Sequence, residues 1–329
     1  MYIGTQTYCR NETEIQVLAQ LGIRNVDQTP PEPWSEWTVD TLKALRERFD
    51  KHGINLEMIH IPLGSQSASD NGAGAIFLGP SDEREWQLDR MCETVRMAAA
   101  AGLRGLNYTI TILGHLRTAT RYGRGGARLS SFEYDKLDQT LDEFEEGAAD
   151  EDEMWERIDY WLKRIIPVAE EYKVQMACHP SDPGIGVRNT YRGVARVMGM
   201  VDGLKKLTEL YDSPYNGLNF CLGCVAESLG NPAEEVFDVI RWFGERKKIF
   251  NLHFRNIRGG LGNFVEVFPD EGDVDMLKAL RTFKEVGYDY MIMSDHSPGI
   301  SAENGGQVGH AFIYGYIHAL LQAVNEEPA

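Results

Sequence analysis

The sequence predicts an α/β fold, a single barrel of eight parallel strands that alternate with helices, or (β/α)8 barrel. Short apolar runs alternate with longer segments whose apolar residues recur at helical spacing, which is typical of a parallel sheet covered by helices. The chain has 329 residues, 43% of them hydrophobic, which suits one such barrel with insertions. Several apolar runs end in a polar side chain, and that end of a barrel's strands carries its chemistry.

Apolar spacing and terminal glycines define the helices of the first half of the chain. In segment 12–21, Ile15, Leu18 and Ala19 share one face, and Gly22 follows as a stop. Ser81 is a suitable N-cap for a helix that runs to about residue 101. The predicted strands of this half are 2–8, 23–26, 56–61 and 103–110, and the predicted helices are 12–21, 41–52 and 82–101.

A long insertion of about residues 113–156 follows the fourth strand. Its first part is basic and contains glycines, and its last part, 141–156, is strongly acidic. An insertion of this length is a lid over the strand ends, an oligomer contact or a solvated surface loop, and the sequence leaves these alternatives open.

The second half of the chain continues the alternation of helices and strands. Its predicted strands are 174–178, 218–222, 248–254 and 290–294, and its predicted helices are 155–172, 204–210, 232–243, 275–286 and 312–324. We find no internal repeat, low-complexity tract or linker that would divide the chain. We therefore expect a single TIM-barrel domain over residues 1–329.

The composition excludes several classes of partner. The formal net charge of −17 disfavours nucleic acid and anionic membrane surfaces. No apolar run approaches a membrane span, and the N-terminus lacks the pattern of a signal peptide. Five cysteines without the spacing of a disulfide framework indicate a reducing compartment, so we expect a cytoplasmic protein.

Four successive strand ends carry side chains that bind transition metals. His179, Cys221 and His253 each stand at the end of a predicted strand, and Asp295 follows the last one. Because the carboxyl ends of parallel strands meet at one mouth of a barrel, we expect these four side chains to hold one divalent cation. Polar residues that never converge are the alternative, and each signal alone is weak.

A second interpretation of Cys221 is less favoured. Cys221 and Cys224 form a CxxC motif, but no second CxxC exists to complete a structural zinc site. A redox CxxC opens a helix, and the residues after Cys224 do not clearly predict one. A buried, inert thiol is the remaining alternative.

Several motifs resemble the mannonate dehydratase family, and they recur in family order over nearly the whole chain. They are Leu162–Glu171, Met176-Ala177-Cys178-His179-Pro180-Ser181-Asp182-Pro183, Asp212–Gly217, His253-Phe254-Arg255-Asn256, Gly272–Met276 and Asp295-His296. The resemblance implies a (β/α)8 barrel that uses a divalent metal, commonly manganese, to dehydrate D-mannonate to 2-keto-3-deoxygluconate. It places the metal ligands on His179, Cys221, His253 and Asp295, and the catalytic histidine on His296.

Two positions depart from the family pattern. Met293 stands where the family usually has an arginine, and His310 stands where it places a catalytic tyrosine. We expect His296 and His310 to divide the roles of base and acid, because histidine titrates near neutral pH. Three further side chains are candidates for binding substrate oxygens, namely Arg255, Arg117 and His60. Glu266 and Asp273 are expected to close on the substrate or to surround the metal ligands.

The sequence therefore predicts a metal-dependent dehydratase that acts on a sugar acid or a related polyol, with manganese, zinc, cobalt, nickel or iron as the metal. A small-molecule partner and a homo-oligomer are expected. A sugar isomerase or epimerase of the xylose isomerase-like barrels is one alternative, since the missing arginine fits an uncharged sugar. A sugar-binding barrel that has lost activity is another.

Overall fold

The predicted barrel is confirmed by the structure, a computed structural model that describes residues 1–145, 147–186 and 190–327. Within these residues, eight parallel strands close into one ring in which each strand pairs with its neighbours in the chain and the last pairs with the first. The strands are β1 (Tyr2–Thr5), β2 (Asn25–Asp27), β3 (Asn55–His60), β4 (Gly105–Thr109), β5 (Gln175–His179), β6 (Asn216–Cys221), β7 (Ile249–His253) and β8 (Met291–Ser294).

The helices cover the outside of the barrel, and all except the fully buried α6 bury one face against it. They are α1 (Glu12–Gln20), α2 (Val39–Asp50), α3 (Asp82–Ala100), α4 (Glu151–Tyr172), α5 (Val201–Leu210), α6 (Leu222–Glu227), α7 (Pro232–Glu245), α8 (Met276–Glu285) and α9 (Gly305–Glu326). None of those in the described ranges has the length and apolar character that crossing a membrane requires.

Two of these helices differ most from the prediction. The sequence did not predict α6, which begins directly at the end of β6 and includes Cys224. All six of its residues are buried, so it has no polar face that would produce a helical pattern. Helix α9 begins at Gly305 instead of residue 312, because the small residues of its first turn look like loop in the sequence.

Helix α4 shows why the helices begin where they do. Asp150 accepts a hydrogen bond from the backbone N–H of Glu153 at 2.9 Å, and the Glu153 carboxylate accepts one from the N–H of Asp150 at 3.0 Å. This reciprocal capping box satisfies two backbone donors that the first turn leaves unpaired. The buried face carries Trp161, whose ring lies 5.5 Å from that of Tyr108 in β4, measured between centroids.

The insertion after β4 lies over the mouth of the barrel. Residues Ser131–Glu133 pair with Asn263–Val267, which in turn pair with Asn256–Gly260 after β7. We call this antiparallel three-stranded sheet the rim sheet. Further along, Arg128 and Gly299 exchange two backbone hydrogen bonds, of 2.9 and 2.8 Å, and join the insertion to the loop after β8. Of the alternatives left open by the sequence, these contacts correspond to a cover over the strand ends.

Candidate metal centre

The register of the barrel brings the four predicted ligands to one level. His179, Cys221 and His253 are the last residues of β5, β6 and β7, and Asp295 follows the last residue of β8. Cys221 is paired directly with His253 in the sheet. One ligand atom from each of the four side chains lies within 4.8 Å of the corresponding atom of every other. The structure therefore brings the whole predicted set together.

Hydrogen bonds fix which nitrogen each imidazole turns towards the cluster. Nδ1 of His179 lies 2.7 Å from the carbonyl oxygen of Pro180, an acceptor, so Nδ1 carries the proton and Nε2 is left for a ligand. The Asn219 side-chain amide lies 3.0 Å from Nε2 of His253. Nδ1 of His253 is buried and makes no hydrogen bond in the described part of the chain, although Oδ1 of Asp295 lies 3.4 Å away. A buried nitrogen without a hydrogen bond is the situation that a bound cation would relieve.

The electrostatics of the other two residues favour their charged forms. Burial raises the pKa of the Cys221 thiol, but its hydrogen bond with Cys224 and the charge of Arg255 outweigh burial and hold the pKa well below its usual range. Burial likewise raises the pKa of Asp295, but the neighbouring His296 and His253 hold it far below the ordinary value. A thiolate, a carboxylate and two neutral imidazoles balance a divalent cation, so these residues fit a metal of this charge.

Protons compete with a metal for His253. Burial lowers the pKa of this imidazole, but Asp295 and Cys221 outweigh burial and raise the pKa to about 10. A metal needs the lone pair that the proton would occupy, so we expect metal binding to release a proton from this ring.

Arg255, predicted to bind substrate, is instead enclosed by acidic side chains. Its side chain is 2% exposed, and its nitrogens lie 2.7 Å from Glu266, 3.0 Å from Glu227, and 3.2 Å from both Asp182 and Asp295. Four acidic side chains thus surround this buried guanidinium, and its predicted contact with substrate stays a prediction. It also lies 3.0 Å from the Cys224 sulfur, so it contacts all three members of a second group of possible metal ligands, Asp182, Cys224 and Glu227.

Arg117 and Glu266 belong to the same buried network. Arg117 donates two hydrogen bonds to Asp182, at 2.6 and 2.7 Å, and a third to Glu266. The other oxygen of Glu266 lies 3.0 Å from Nδ1 of His296. Arg117 therefore holds two buried carboxylates beside the candidate metal ligands, and its predicted contact with substrate stays a prediction. Glu266 contacts the predicted catalytic histidine.

A cavity of about 280 Å3 opens over the four candidate metal ligands, which we call the metal cluster, and we call this cavity the central cavity. His179, His253, Asp295 and His296 line its floor, and the His296 side chain is 44% exposed. The polar side chains that complete the lining are Gln6, His60, Ser65, Gln66, Thr109, His115 and Asp182. Among the described residues that line it there is no lysine or arginine. The described lining offers neutral polar groups, histidines and the carboxylates of Asp182 and Asp295.

Three residues that the sequence analysis singled out do not line the central cavity, namely His310, Asp273 and Met293. Nδ1 of His310 lies 3.1 Å from the hydroxyl of Ser294, and its ring does not line the central cavity. Asp273 is exposed and accepts a hydrogen bond from the N–H of Gly259 at 2.8 Å, which ties it to the rim sheet. Met293 is fully buried in β8 beside His253.

Sequence reasoning missed several residues of the site. Asp182 follows His179 by three positions in the same proline-rich turn, which is a signal that could have identified it. Gln6 donates to Oδ1 of Asp295 at 3.1 Å, and His115 lines the cavity from the insertion, and neither stands out in the sequence. Glu227 lies in α6, and burial, the largest influence on it, raises its pKa well above the usual range.

The fold and the site together define a class: a (β/α)8 barrel with a candidate divalent-metal centre at the carboxyl ends of its strands. The family model described as D-mannonate dehydratase (UxuA) matches residues 124–327. The chain belongs to this family, as its motifs predicted.

Individual relatives agree with this assignment. Mannonate dehydratase from Thermotoga petrophila is 28% identical over 331 residues, which cover 88% of this chain and 87% of the relative. The crystal structure of mannonate dehydratase from Streptococcus suis serotype 2 is similar with a TM-score of 0.82 at 21% identity, over 100% of this chain and 97% of that one. A xylose isomerase domain protein from Planctomyces limnophilus has a TM-score of 0.63 at 15% identity, over 99% and 98% of the chains. Both structures share the barrel fold.

Proposed function

We propose that this protein is a metal-dependent hydro-lyase of carbohydrate metabolism that dehydrates a sugar acid such as D-mannonate. One observation carries the proposal: four metal-ligating atoms within 4.8 Å of one another lie beneath a cavity, in a chain whose family is named for this reaction. The relatives bear the name mannonate dehydratase, which is a hydro-lyase.

The residues that would hold the metal are His179, Cys221, His253 and Asp295. A divalent ion bound there would supply positive charge beside the substrate's carboxylate and its adjacent hydroxyl, which acidifies the neighbouring C–H. Manganese is our first choice because the resemblance implies it, and zinc, cobalt, nickel and iron suit the same ligands. The buried Nδ1 of His253 supports this choice of residues, because it makes no hydrogen bond in the described chain.

His296 is our candidate for protonating the departing hydroxyl. Its nitrogens lie 3.0 Å from Glu266 and 3.3 Å from Asp295, so carboxylates face both sides of the ring and favour the imidazolium. Burial lowers the pKa of His296, but Asp295 and Glu266 outweigh burial and raise the pKa to about 9. An imidazolium in the wall of the cavity can donate a proton to a leaving hydroxyl. The substrate's remaining hydroxyls would be bound by neutral side chains such as Gln66 and Thr109.

A second candidate function is isomerisation or epimerisation of an uncharged sugar. The central cavity lining favours it, because the described residues there include no arginine or lysine to pair with a carboxylate. The arginine that the family usually carries is replaced by Met293. This reaction would use the same metal and the same proton transfer next to a carbonyl.

The two functions are distinguished by the products. Purified protein with Mn2+ is incubated with a panel of aldonic acids and keto-sugars, and products are measured by mass and by a thiobarbiturate test. Dehydration predicts a 2-keto-3-deoxy acid, lighter than its substrate by one water, and activity that disappears with a chelator. A product of unchanged mass would favour isomerisation, and no turnover of any member of the panel would contradict both.

The other expectations stay predictions. They are one domain over residues 1–329, a cytoplasmic location, a homo-oligomeric state, and no nucleic acid or membrane partner. Sedimentation of the purified protein would test the oligomeric state.

A further inference from the structure

His60, predicted from the sequence to bind a substrate oxygen, lies in the wall of the central cavity. It is the last residue of β3, its side chain is 32% exposed, and it lines the cavity. Its Nδ1 lies 3.1 Å from Oδ1 of Asp27, whose side chain is fully buried at the end of β2. The second carboxylate oxygen of Asp27 accepts a hydrogen bond from Asn107 of β4. Three neighbouring strands therefore build a carboxylate–imidazole pair at the cavity wall.

This arrangement leaves one nitrogen of His60 available for chemistry. A carboxylate against Nδ1 keeps the proton on that nitrogen and fixes the tautomer, so that the lone pair is on Nε2. Nε2 makes no hydrogen bond with the residues that the structure describes. Oδ1 of Asp27 is buried and makes no other polar contact in that part of the chain, so the His60 imidazole, 3.1 Å away, is the group available to pair with it.

The other histidines of this region are less suited to accepting a proton. Carboxylates face both ring nitrogens of His296, which makes it a donor. His310 does not line the cavity, and its Nδ1 contacts Ser294. His115 does line the cavity, but among the described residues no carboxylate lies within ion-pair distance of its ring. His60 is thus the histidine of the cavity that combines an orienting carboxylate with an open nitrogen.

We propose that His60 is the catalytic base of this site and that Asp27 is its positioning residue. The assignment rests on the proposed dehydration. Nε2 of His60 accepts the proton from the carbon next to the carboxylate, and the electron pair of that C–H bond forms a carbon–carbon double bond. The C–O bond of the adjacent carbon breaks, and its oxygen leaves as water with the proton from His296. The resulting enol becomes the 2-keto acid by taking a proton on carbon and releasing its hydroxyl proton.

The topology places this base away from the acid. All four candidate metal ligands come from the ends of β5 to β8, whereas His60 comes from β3, in the half of the barrel that supplies none. His296 directly follows Asp295 on the ligand side. A substrate held over the metal cluster is therefore reached by His60 and His296 from different parts of the wall.

The experiment compares His60→Gln and Asp27→Asn with the parent protein, all loaded with Mn2+. We expect kcat of His60→Gln to fall by about 10²–10⁴-fold, with KM and metal content nearly unchanged. The kcat of Asp27→Asn should fall less, because the His60 imidazole keeps its Nε2 and loses only the carboxylate that orients the ring. His60→Ala should regain activity when free imidazole is added, a response that a purely structural role would not give. Exchange of the substrate C–H with deuterated solvent should be lost in parallel with kcat.

His52→Gln is the matched control. His52 also faces a carboxylate, Glu12 at 2.8 Å, but on the surface, so its loss should leave kcat unchanged. Full kcat in a folded, metal-loaded His60→Gln would overturn this assignment while the proposed function stands. If His60→Gln does not fold, the other two variants test the assignment. Unchanged kcat in Asp27→Asn and no rescue of His60→Ala by imidazole would overturn it. If the parent protein turns over no sugar acid, the proposed function fails, and this assignment fails with it.

Discussion

At the scale of single residues, Asp295 connects several parts of the site. Its carboxylate lies 3.4 Å from His253, 3.3 Å from His296 and 3.2 Å from Arg255, and it accepts a hydrogen bond from Gln6. Asp295 is thus a candidate metal ligand that also contacts the proposed acid, His296, and the buried Arg255. A neutral side chain of the same shape would keep the packing but remove the charge from all of these contacts.

We therefore predict that Asp295→Asn loses its metal. An amide supplies no negative charge, and the remaining thiolate alone compensates a divalent cation poorly. Elemental analysis after dialysis should show near-stoichiometric Mn2+ in the parent protein and at least a tenfold lower content in the variant. Asp273→Asn is the control: among the described residues this exposed carboxylate accepts a hydrogen bond from the rim sheet and contacts no candidate ligand, so the variant should keep its metal. Equal metal in Asp295→Asn and the parent would argue against the ligand set.

The sequence predicted which residues lie in the site better than it predicted which residues contact one another. The four ligands were predicted because they end four strands, and the ends of parallel strands must meet. The ion pairs of Arg255 were not predicted, because alternation along a strand indicates which face a side chain occupies and not which residues lie opposite it. Its carboxylate partners come from four separate segments, and Glu227 among them lies in a helix that the sequence did not predict.

At the scale of elements, the capping box of α4 marks where the insertion ends and the barrel resumes. Asp150 closes the last loop of the insertion, and the helix that it starts buries Trp161 and Ile165 against the barrel. A cap at this position fixes where the chain turns back into the fold.

We predict that Asp150→Ala lowers the free energy of unfolding by about 1 kcal/mol, because it removes the acceptor for the Glu153 N–H. Urea denaturation followed by far-UV circular dichroism measures this change. Glu156→Ala, an exposed substitution one turn further along the same helix, should change stability by less than about 0.5 kcal/mol. A cap variant as stable as this control would show that tertiary packing alone positions the helix.

The barrel elements were predictable and the rim sheet was not. The barrel strands are short segments rich in apolar residues, because most of their side chains are buried on both faces of the sheet. The rim sheet joins Ser131–Glu133 to a hairpin more than a hundred residues later, and the polar side chains on its outer face resemble loop in the sequence. Only the folded barrel brings these segments together.

At the scale of the whole molecule, metal binding and folding should be coupled. The four ligands come from strands spread over residues 175–295, so they converge only when the barrel is closed. An ion that binds the folded chain and not the unfolded one stabilises it by an amount that grows with the logarithm of its concentration.

We predict that Mn2+ at one hundred times its dissociation constant raises the free energy of unfolding by about 2.7 kcal/mol. Thermal unfolding at increasing Mn2+ should show a rising midpoint, and a chelator should reverse the rise. Asp295→Asn should show little or no shift at the same concentrations. A midpoint independent of Mn2+ in the parent protein would mean that the cluster does not bind this ion.

All four candidate ligands come from the second half of the chain, and this has a consequence for how such proteins diversify. The matched family region, residues 124–327, contains every strand that supplies a ligand, while Gln6, His60 and Thr109 lie before it. Substitutions in that earlier portion can alter which sugar is accepted without dismantling the ion's coordination. Chimaeras that exchange the first 110 or so residues between relatives should therefore transfer substrate preference and leave metal affinity where it was.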